Sequence, residues 1–335
     1  MYAHIFVKFI GFCLAKVETI DILILRYANL ISIGGAIPMQ NILLIINPVS
    51  GRQKSQALVY SIINYLSQHN CKTLIFATTA PGNATELVHK YAHECTRIIC
   101  CGGDGTLNEI FSGVANLPNI IPVGYIPTGT TNDLAHALGL ASNIRQAIQL
   151  TLHGKLRLLD LGTFNSNKYF SYVASFGAFS NVAYDTPQWL KNRLGRASYF
   201  FYGLAEIADI RAQRVKIVAD DTTVIEDEFV YGSVSNSTVI GGIVKLPQYN
   251  ICLSDGKFEV LLIKKPKTPV DLHHIVQGLM RQEYDEENVI FFAASRISFS
   301  FENSVPWTVD GEYAGESTCV NIGNMHKRIG ILVHE

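Results

Sequence analysis

Charge is scarce in this chain. Only 16% of its 335 residues are Asp, Glu, Lys or Arg, and the formal net charge is -1. No basic stripe runs along it, which excludes the electrostatic footprint of a nucleic-acid binder. A cysteine framework is absent too. The seven cysteines are odd in number and contain no C-x-x-C pair, so they read as free thiols in a reducing compartment. No uncharged apolar run approaches the ~20 residues that a membrane-spanning helix needs. Even the apolar first 38 residues are interrupted by Lys8, Lys16, Glu18, Asp21 and Arg26, and no charged start, apolar stretch and cleavage site line up as a signal peptide. The ten histidines show no metal-ligand spacing. The most conspicuous glycine-rich stretch is followed by no Gly-Lys-Ser/Thr and is not a Gly-x-Gly-x-x-Gly. A P-loop and a dinucleotide fingerprint are therefore both missing, which disfavours a dehydrogenase.

What is present starts with apolar mass. Hydrophobic residues make up 48% of the chain, enough for a well-filled interior, and 335 residues favour two domains over one. The organising stretch is Cys100-Cys101-Gly102-Gly103-Asp104-Gly105-Thr106-Leu107-Asn108-Glu109. The apolar run from Arg97 to Cys101 reads as a buried strand, and a helix opens directly after the glycines. Thr106 and Glu109 have capping-box spacing at its first turn. A strand, a glycine-rich turn and a helix N-terminus together make an anion site, because first-turn N–H groups and the helix dipole converge on one spot. Glycine also admits a ligand closer than a Cβ allows.

Around this stretch, strand-like runs alternate with helical spacing. Ile42–Ile46 leads into the loop Asn47-Pro48-Val49-Ser50-Gly51, and Leu58, Ile62, Tyr65 and Leu66 repeat with helical period. Thr73–Ala77 is a second strand, followed by a loop and a helix that Asn83 can cap. Ile121–Ile126 is a fourth, ending in Pro127-Thr128-Gly129-Thr130-Thr131-Asn132-Asp133 and another helix, Leu134–Leu138. The alternation predicts a doubly wound, Rossmann-like α/β domain whose ligand loops lie at the carboxyl ends of its strands. From about residue 157 the pattern becomes strand after strand. The runs are 157–164, 168–175, 214–219, 229–235, 257–264 and 289–301, with further segments around Val320 and Ile331. Helices are expected only near 188–209 and 270–280. This half predicts an antiparallel β-sandwich. The expected division is an N-terminal extension over 1–38, an α/β domain over 39–165 and a β-rich domain over 166–335. Met39 reads as the natural start of the fold, because a strand follows it at once.

Four motifs in this order are Asn47–Gly51, Gly102–Glu109, Pro127–Asp133 and Val309-Asp310-Gly311-Glu312. With them the chain resembles, over roughly residues 40–335, the soluble lipid kinases of the bacterial diacylglycerol kinase family. That family shares its catalytic domain type with eukaryotic diacylglycerol and sphingosine kinases. The resemblance implies an enzyme that uses ATP and Mg2+ to phosphorylate a lipid hydroxyl, with diacylglycerol as the expected acceptor. It implies ATP bound between the domains against Asn47, Pro48, Val49, Ser50 and Gly51, Thr78, Gly102, Gly103, Asp104, Gly105, Thr106, Leu107 and Asn108, and Thr130. It matches the catalytic base to Glu312, with Asp310 beside it. Its metal site matches Asp255, with main-chain oxygens at Cys252 and Lys257 and with Asp104 linked through water. Asp133 and Asp160 match supporting acidic positions.

Each of these residues also has a plainer account. Asp255-Gly256 and Asp310-Gly311 are turn signals, Asn47 and Asp133 suit helix caps, and Asp160 suits a strand end. On an extended chain Asp310 and Glu312 would face opposite sides unless Gly311 turns it. Only one of them is then the base, and Glu312 ranks first. The aromatic and basic stretch 189–204, with Trp189 and Phe200, reads as a helix packed on the β-rich half or as a membrane-contacting one. The competing functions are a soluble small-molecule kinase of the NAD kinase type and a non-catalytic nucleotide- or lipid-binding protein. The absent targeting signal points to a cytoplasmic protein visiting the membrane surface, and a homodimer is left open.

Overall fold

The computed structural model describes residues 40–50, 56–129, 132–140, 143–165, 168–177, 212–237, 239–240, 244–246 and 251–334. The extension over 1–38, the aromatic stretch 189–204, Gly51 and Thr130 lie outside them. The helices are α1 (Gln56–Gln68), α2 (Asn83–Tyr91), α3 (Asp104–Val114), α4 (Asp133–Ala137), α5 (Ile144–His153) and α6 (Pro269–Arg281). The first four strands, β1 (Gln40–Ile46), β2 (Cys71–Ala77), β3 (Arg97–Gly102) and β4 (Val123–Pro127), pair in parallel in the order β2-β1-β3-β4.

These strands are apolar almost throughout because helices cover both faces. Alternate side chains go to opposite sides. Leu43, Ile45, Ile98, Cys100 and Tyr125 pack with Ala84 and Val88 of α2 and with Leu107, Ile110 and Phe111 of α3. Ile42, Leu44, Ile99, Cys101 and Ile126 pack with Leu58, Ile62 and Leu66 of α1 and with Ala147, Ile148 and Leu152 of α5. Parallel pairing brings the loops after all four strands to one end of the sheet.

The remaining strands are β5 (Lys155–Phe164), β6 (Lys168–Phe170), β7 (Val173–Gly177), β8 (Gln213–Ala219), β9 (Thr223–Ser235), β10 (Val239–Ile240), β11 (Val244–Lys245), β12 (Phe258–Lys264), β13 (Val289–Ala294), β14 (Arg296–Val309) and β15 (Glu312–Val333). They pair antiparallel with one another. The long strands β9 and β14 each pair with β8 over one half and with β7 over the other, which closes a circuit β14–β8–β9–β7. Trp307, Phe176, Phe299 and Phe258 fill the core beneath it.

Two runs expected as single strands are broken, each by a carboxylate. The run from residue 168 splits into β6 and β7 because the N–H groups of Ser171, Tyr172 and Val173 donate to Asp310 at 2.9–3.0 Å. The run over 289–301 splits into β13 and β14 because the N–H groups of Ser295 and Arg296 donate to Asp220 Oδ1 at 3.0 and 2.9 Å.

The two segments expected around Val320 and Ile331 are instead one strand of 22 residues, β15. It pairs with β14 along its first part and with β5 along its second. Its end, at Ile331, lies parallel to β4. The chain therefore finishes in the first sheet, where Ile329, Ile331 and Val333 share a core with Leu43 and Ile98. By this route the hairpin at the start of β15 is tied to the parallel sheet.

Candidate active site

β3 delivers the glycine-rich turn and α3 begins at Asp104. The N-cap is Gly103, and no side chain caps it. The capping box expected from Thr106 and Glu109 does not form. Thr106 Oγ1 accepts from Asn47 Nδ2 at 2.9 Å. Glu109 turns away and accepts from Gly82 N at 2.8 Å and Ala84 N at 3.0 Å, so it caps α2. Asn83, expected to cap α2 itself, sits inside the first turn. The N-terminus of α3 is thereby left uncovered by its own side chains, as an anion site requires.

Three loops close round this turn. Asn47 Oδ1 accepts from Val49 N at 3.1 Å, shaping the loop Asn47–Ser50, in which Pro48 and Val49 are exposed. Ser50 Oγ accepts from Thr128 Oγ1 at 3.1 Å, and Thr128 N donates to Gly102 O at 2.8 Å. A Cβ on Gly129 would come within 2.7 Å of Gly103 Cα, and one on Gly102 within 2.7 Å of Thr106 Cβ. Only glycine permits these approaches. Thr78, at the end of β2, donates its N–H to Ile46 O at 2.8 Å beside the first loop. Asp104 Oδ2 accepts from Asp133 N at 2.9 Å, so Asp133 meets Asp104 through its backbone. Leu107 is buried in the core, and Asn108 Nδ2 donates to Tyr169 O at 3.3 Å.

The Val309–Glu312 motif forms the two-residue hairpin between β14 and β15, with Val309 paired to Glu312. Asp310 (φ 48) and Gly311 (φ 83) both have positive φ, the I′-type conformation that Asp-Gly favours. Gly311 thus does turn the chain, and the two carboxylates still part company. Those of Asp310 accept from the N–H groups of Ser171, Tyr172 and Val173 and from Ser171 Oγ at 3.2 Å. Burial pushes its carboxyl up to about 6, and the hydrogen bonds from Ser171, Val173 and Tyr172 oppose that rise. Glu312 is exposed and reaches across to the glycine-rich turn. Its Oε1 lies 3.2 Å from where a Cβ on Gly105 would stand. The tip of the β-rich half and the N-terminus of α3 therefore meet at one point.

The turn Cys252–Lys257 is organised by Asp160, which is 1% exposed. Asp160 Oδ2 accepts from Gly256 N at 2.6 Å and Asn324 Nδ2 at 3.2 Å; Oδ1 accepts from Lys327 N at 2.6 Å and pairs with His326 Nδ1 at 3.1 Å. Gly256 (φ 84) allows the turn, and Asp255 Oδ1 accepts from Lys257 N at 3.0 Å. Asp255, Cys252 and Lys257 are exposed. Among the described residues no three His, Cys, Asp or Glu side chains gather as a metal cluster. A carboxylate and main-chain oxygens on a solvated turn do match the hard, partly hydrated coordination that Mg2+ accepts.

With this geometry in hand, comparison with known proteins decides the family. A family model described as the diacylglycerol kinase catalytic domain matches residues 41–164. The chain is 31% identical over 279 residues to the diacylglycerol kinase of Bacillus subtilis (strain 168), covering 83% of this chain and 91% of that protein. The chain belongs to the diacylglycerol kinase family. A diacylglycerol kinase of Staphylococcus epidermidis (strain RP62A) is 32% identical over 86% of the chain and 90% of its own length. A crystal structure of a candidate diacylglycerol kinase from Bacillus anthracis str. Sterne superposes with a TM-score of 0.74 at 25% identity, covering 88% of this chain and 97% of that one. An NAD kinase from Archaeoglobus fulgidus, solved with ATP, shares the fold at a TM-score of 0.51 and 14% identity. Membership makes this chain an enzyme of the kinase class.

Several residues that shape the site in this diacylglycerol kinase family member carry little sequence signal. Asn132 (φ 49) donates from Nδ2 to Gly129 O at 2.8 Å and accepts from the Tyr125 hydroxyl at 3.2 Å, which braces the third loop. Burial foremost, then the Asp104 charge, hold the Tyr125 hydroxyl well above its usual range, so it remains a donor. Asparagine tolerates positive φ better than most residues, but before a helix it signals an extended N-cap, so the left-handed turn at Asn132 is not legible in the sequence. Nothing in the sequence points to Tyr125, or to Ser171 as the partner of Asp310.

Proposed function

We propose that this protein is an ATP- and Mg2+-dependent lipid kinase that transfers the γ-phosphoryl group to a lipid hydroxyl, with diacylglycerol as acceptor and phosphatidic acid as product. The observation that carries this reading is the approach of the Glu312 carboxylate to Gly105 at the mouth of the anion-binding turn. Phosphoryl transfer depends on positioning and charge neutralisation. The loops Asn47–Gly51 and Gly102–Asn108, with Thr78 and Thr130, surround the nucleotide, whose phosphates lie against the first-turn N–H groups and the positive end of α3. Glu312 accepts the acceptor hydroxyl proton, a task for a solvent-reachable carboxylate beside the phosphate site. Asp310, with both oxygens engaged by backbone N–H groups, holds the hairpin that presents Glu312.

Asp255, with the main-chain oxygens of Cys252 and Lys257, would hold Mg2+. When bound, the cation supplies positive charge against the phosphates. Asp104 would support the cation through water; Asp133 N donates to Asp104 Oδ2, and Asp160 fixes the turn through Gly256 N. The acceptor resides in a bilayer, so the enzyme works from the cytoplasm at the membrane surface. No helix among the described residues is long and apolar enough to cross a membrane.

The test is transfer of labelled γ-phosphate from Mg-ATP to diacylglycerol in mixed micelles, to other lipids and to NAD, run beside Asp104→Asn and Glu312→Gln. Label on diacylglycerol that both substitutions abolish is the expected result. Label on NAD alone would move the protein to the soluble-kinase branch.

A further inference from the structure

The Arg328 guanidinium sits at the far end of α3 from the glycine-rich turn. Its Nε donates to Ala115 O at 2.5 Å, and its Nη2 donates to Leu117 O and, at 3.5 Å, to Val114 O. Val114 is the last residue of α3, Ala115 caps it and Leu117 follows; carbonyls at a helix C-terminus lack intrahelical donors, and the dipole there favours a cation. Arg328 reaches them because β15 bulges there. Met325 pairs with Leu161 and Ile329 with Leu159, so residues 326–328 stand opposite Asp160 alone. Lys327 takes φ 50 to accommodate the extra residues. The Asp160 carboxylate fills the bulge by accepting from Lys327 N, and its other oxygen accepts from Gly256 N. Bulges of this kind re-aim a side chain, and here the chain re-aimed is Arg328.

The same strand begins with Glu312, whose carboxylate lies over Gly105 at the opposite end of α3. β15 therefore touches α3 at both ends. We infer that Arg328 is a positioning residue, one that fixes α3 along its axis and so sets Asp104 and Gly105 against Glu312. The inference rests on the reading of Glu312 as base. Arg328 touches none of the residues assigned to nucleotide, metal or acceptor; it acts through the helix. A displacement of about 1 Å at the reacting groups can cost on the order of a hundredfold in rate.

The experiment uses the full chain with Arg328→Met and Arg328→Lys. In the lipid-transfer assay, Arg328→Met should lower kcat about ten- to a hundredfold with KM for ATP little changed, and Arg328→Lys should recover part of it, because an ammonium still reaches one carbonyl. Amide hydrogen exchange on the same proteins is the second readout. In Arg328→Met, exchange should quicken both at 114–117 and at 104–107, the far end of the helix. Faster exchange confined to 114–117 would mean a local cap only and would overturn the inference. So would an unchanged kcat per folded molecule, or a lysine variant no better than methionine. Because exchange is read without turnover, a wild-type protein inactive on every lipid would sink the lipid-kinase reading and leave the coupling itself to be decided by the 104–107 amides.

Discussion

At the scale of single residues, the two carboxylates of the Val309–Glu312 motif separate cleanly. Asp310 is spent on four donors from Ser171, Tyr172 and Val173, whereas Glu312 reaches out of its own hairpin towards Gly105. Glu312→Gln should lower kcat by about 10²–10⁴ while leaving Tm in place, as expected for a lost general base. Asp310→Ala strands three backbone N–H groups and should cost about 2–4 kcal/mol in urea unfolding. A stable Asp310→Ala that is catalytically dead, beside a fully active Glu312→Gln, would exchange the two roles.

Glu259 makes a second residue-scale prediction. It is 3% exposed, and among the described residues Oε2 finds no hydrogen-bond donor. Burial pushes its carboxyl up to about 8, with the charges of Asp255 and Asp160 adding to the rise. The folded state therefore keeps a proton that the unfolded chain releases above pH ~4.3, and stability falls as pH rises from there to about 8. Asp310 contributes the same sign only up to about 6. Between pH 6.5 and 8 Glu259 therefore adds a falling slope. Glu259→Gln should flatten it and be the more stable protein at pH 8, by on the order of 1–3 kcal/mol. Parallel wild-type and variant slopes in that window would refute this.

At the scale of elements, side chains decide where strands stop and where helices start. Asp310 and Asp220 draw backbone N–H groups out of the ladder, and two apolar runs become four strands. Glu109 leaves its own helix to cap α2. Glu109→Ala should cost about 1–2 kcal/mol, the worth of a charge-assisted N-cap, and should quicken exchange at 82–86. Loss of protection in the first turn of α3 instead would restore the capping box that Thr106-x-x-Glu109 spacing suggested.

At the scale of the whole molecule, the last strand binds the two halves together. Ile329, Ile331, Leu332 and Val333 are all buried at 8% exposure or less. Full burial of an aliphatic side chain contributes about 1.5–3 kcal/mol, so the four together reach roughly 6–12 kcal/mol, comparable with the total stability of a domain. A chain ending at residue 327 should give no cooperative melt by circular dichroism, and neither half should fold by itself. A truncated protein melting like wild type would show that β15 is an accessory strand.

The parallel half and its loops were legible in the sequence. Buried strands are apolar runs of fixed length, Gly102, Gly103 and Gly129 are needed where backbones touch, and Asp-Gly marks a hairpin by its positive φ. Those are local properties of the chain, set by steric limits and periodicity. The partners of Asp160, the capping of α2 by Glu109, the bulge that aims Arg328 and the meeting of Glu312 with Gly105 join residues far apart in sequence. Which donor reaches which carboxylate depends on how β15 curves between the two halves. Only the tertiary structure decided that, because a hydrogen bond is chosen by distance in space and a sequence pattern records distance along the chain alone.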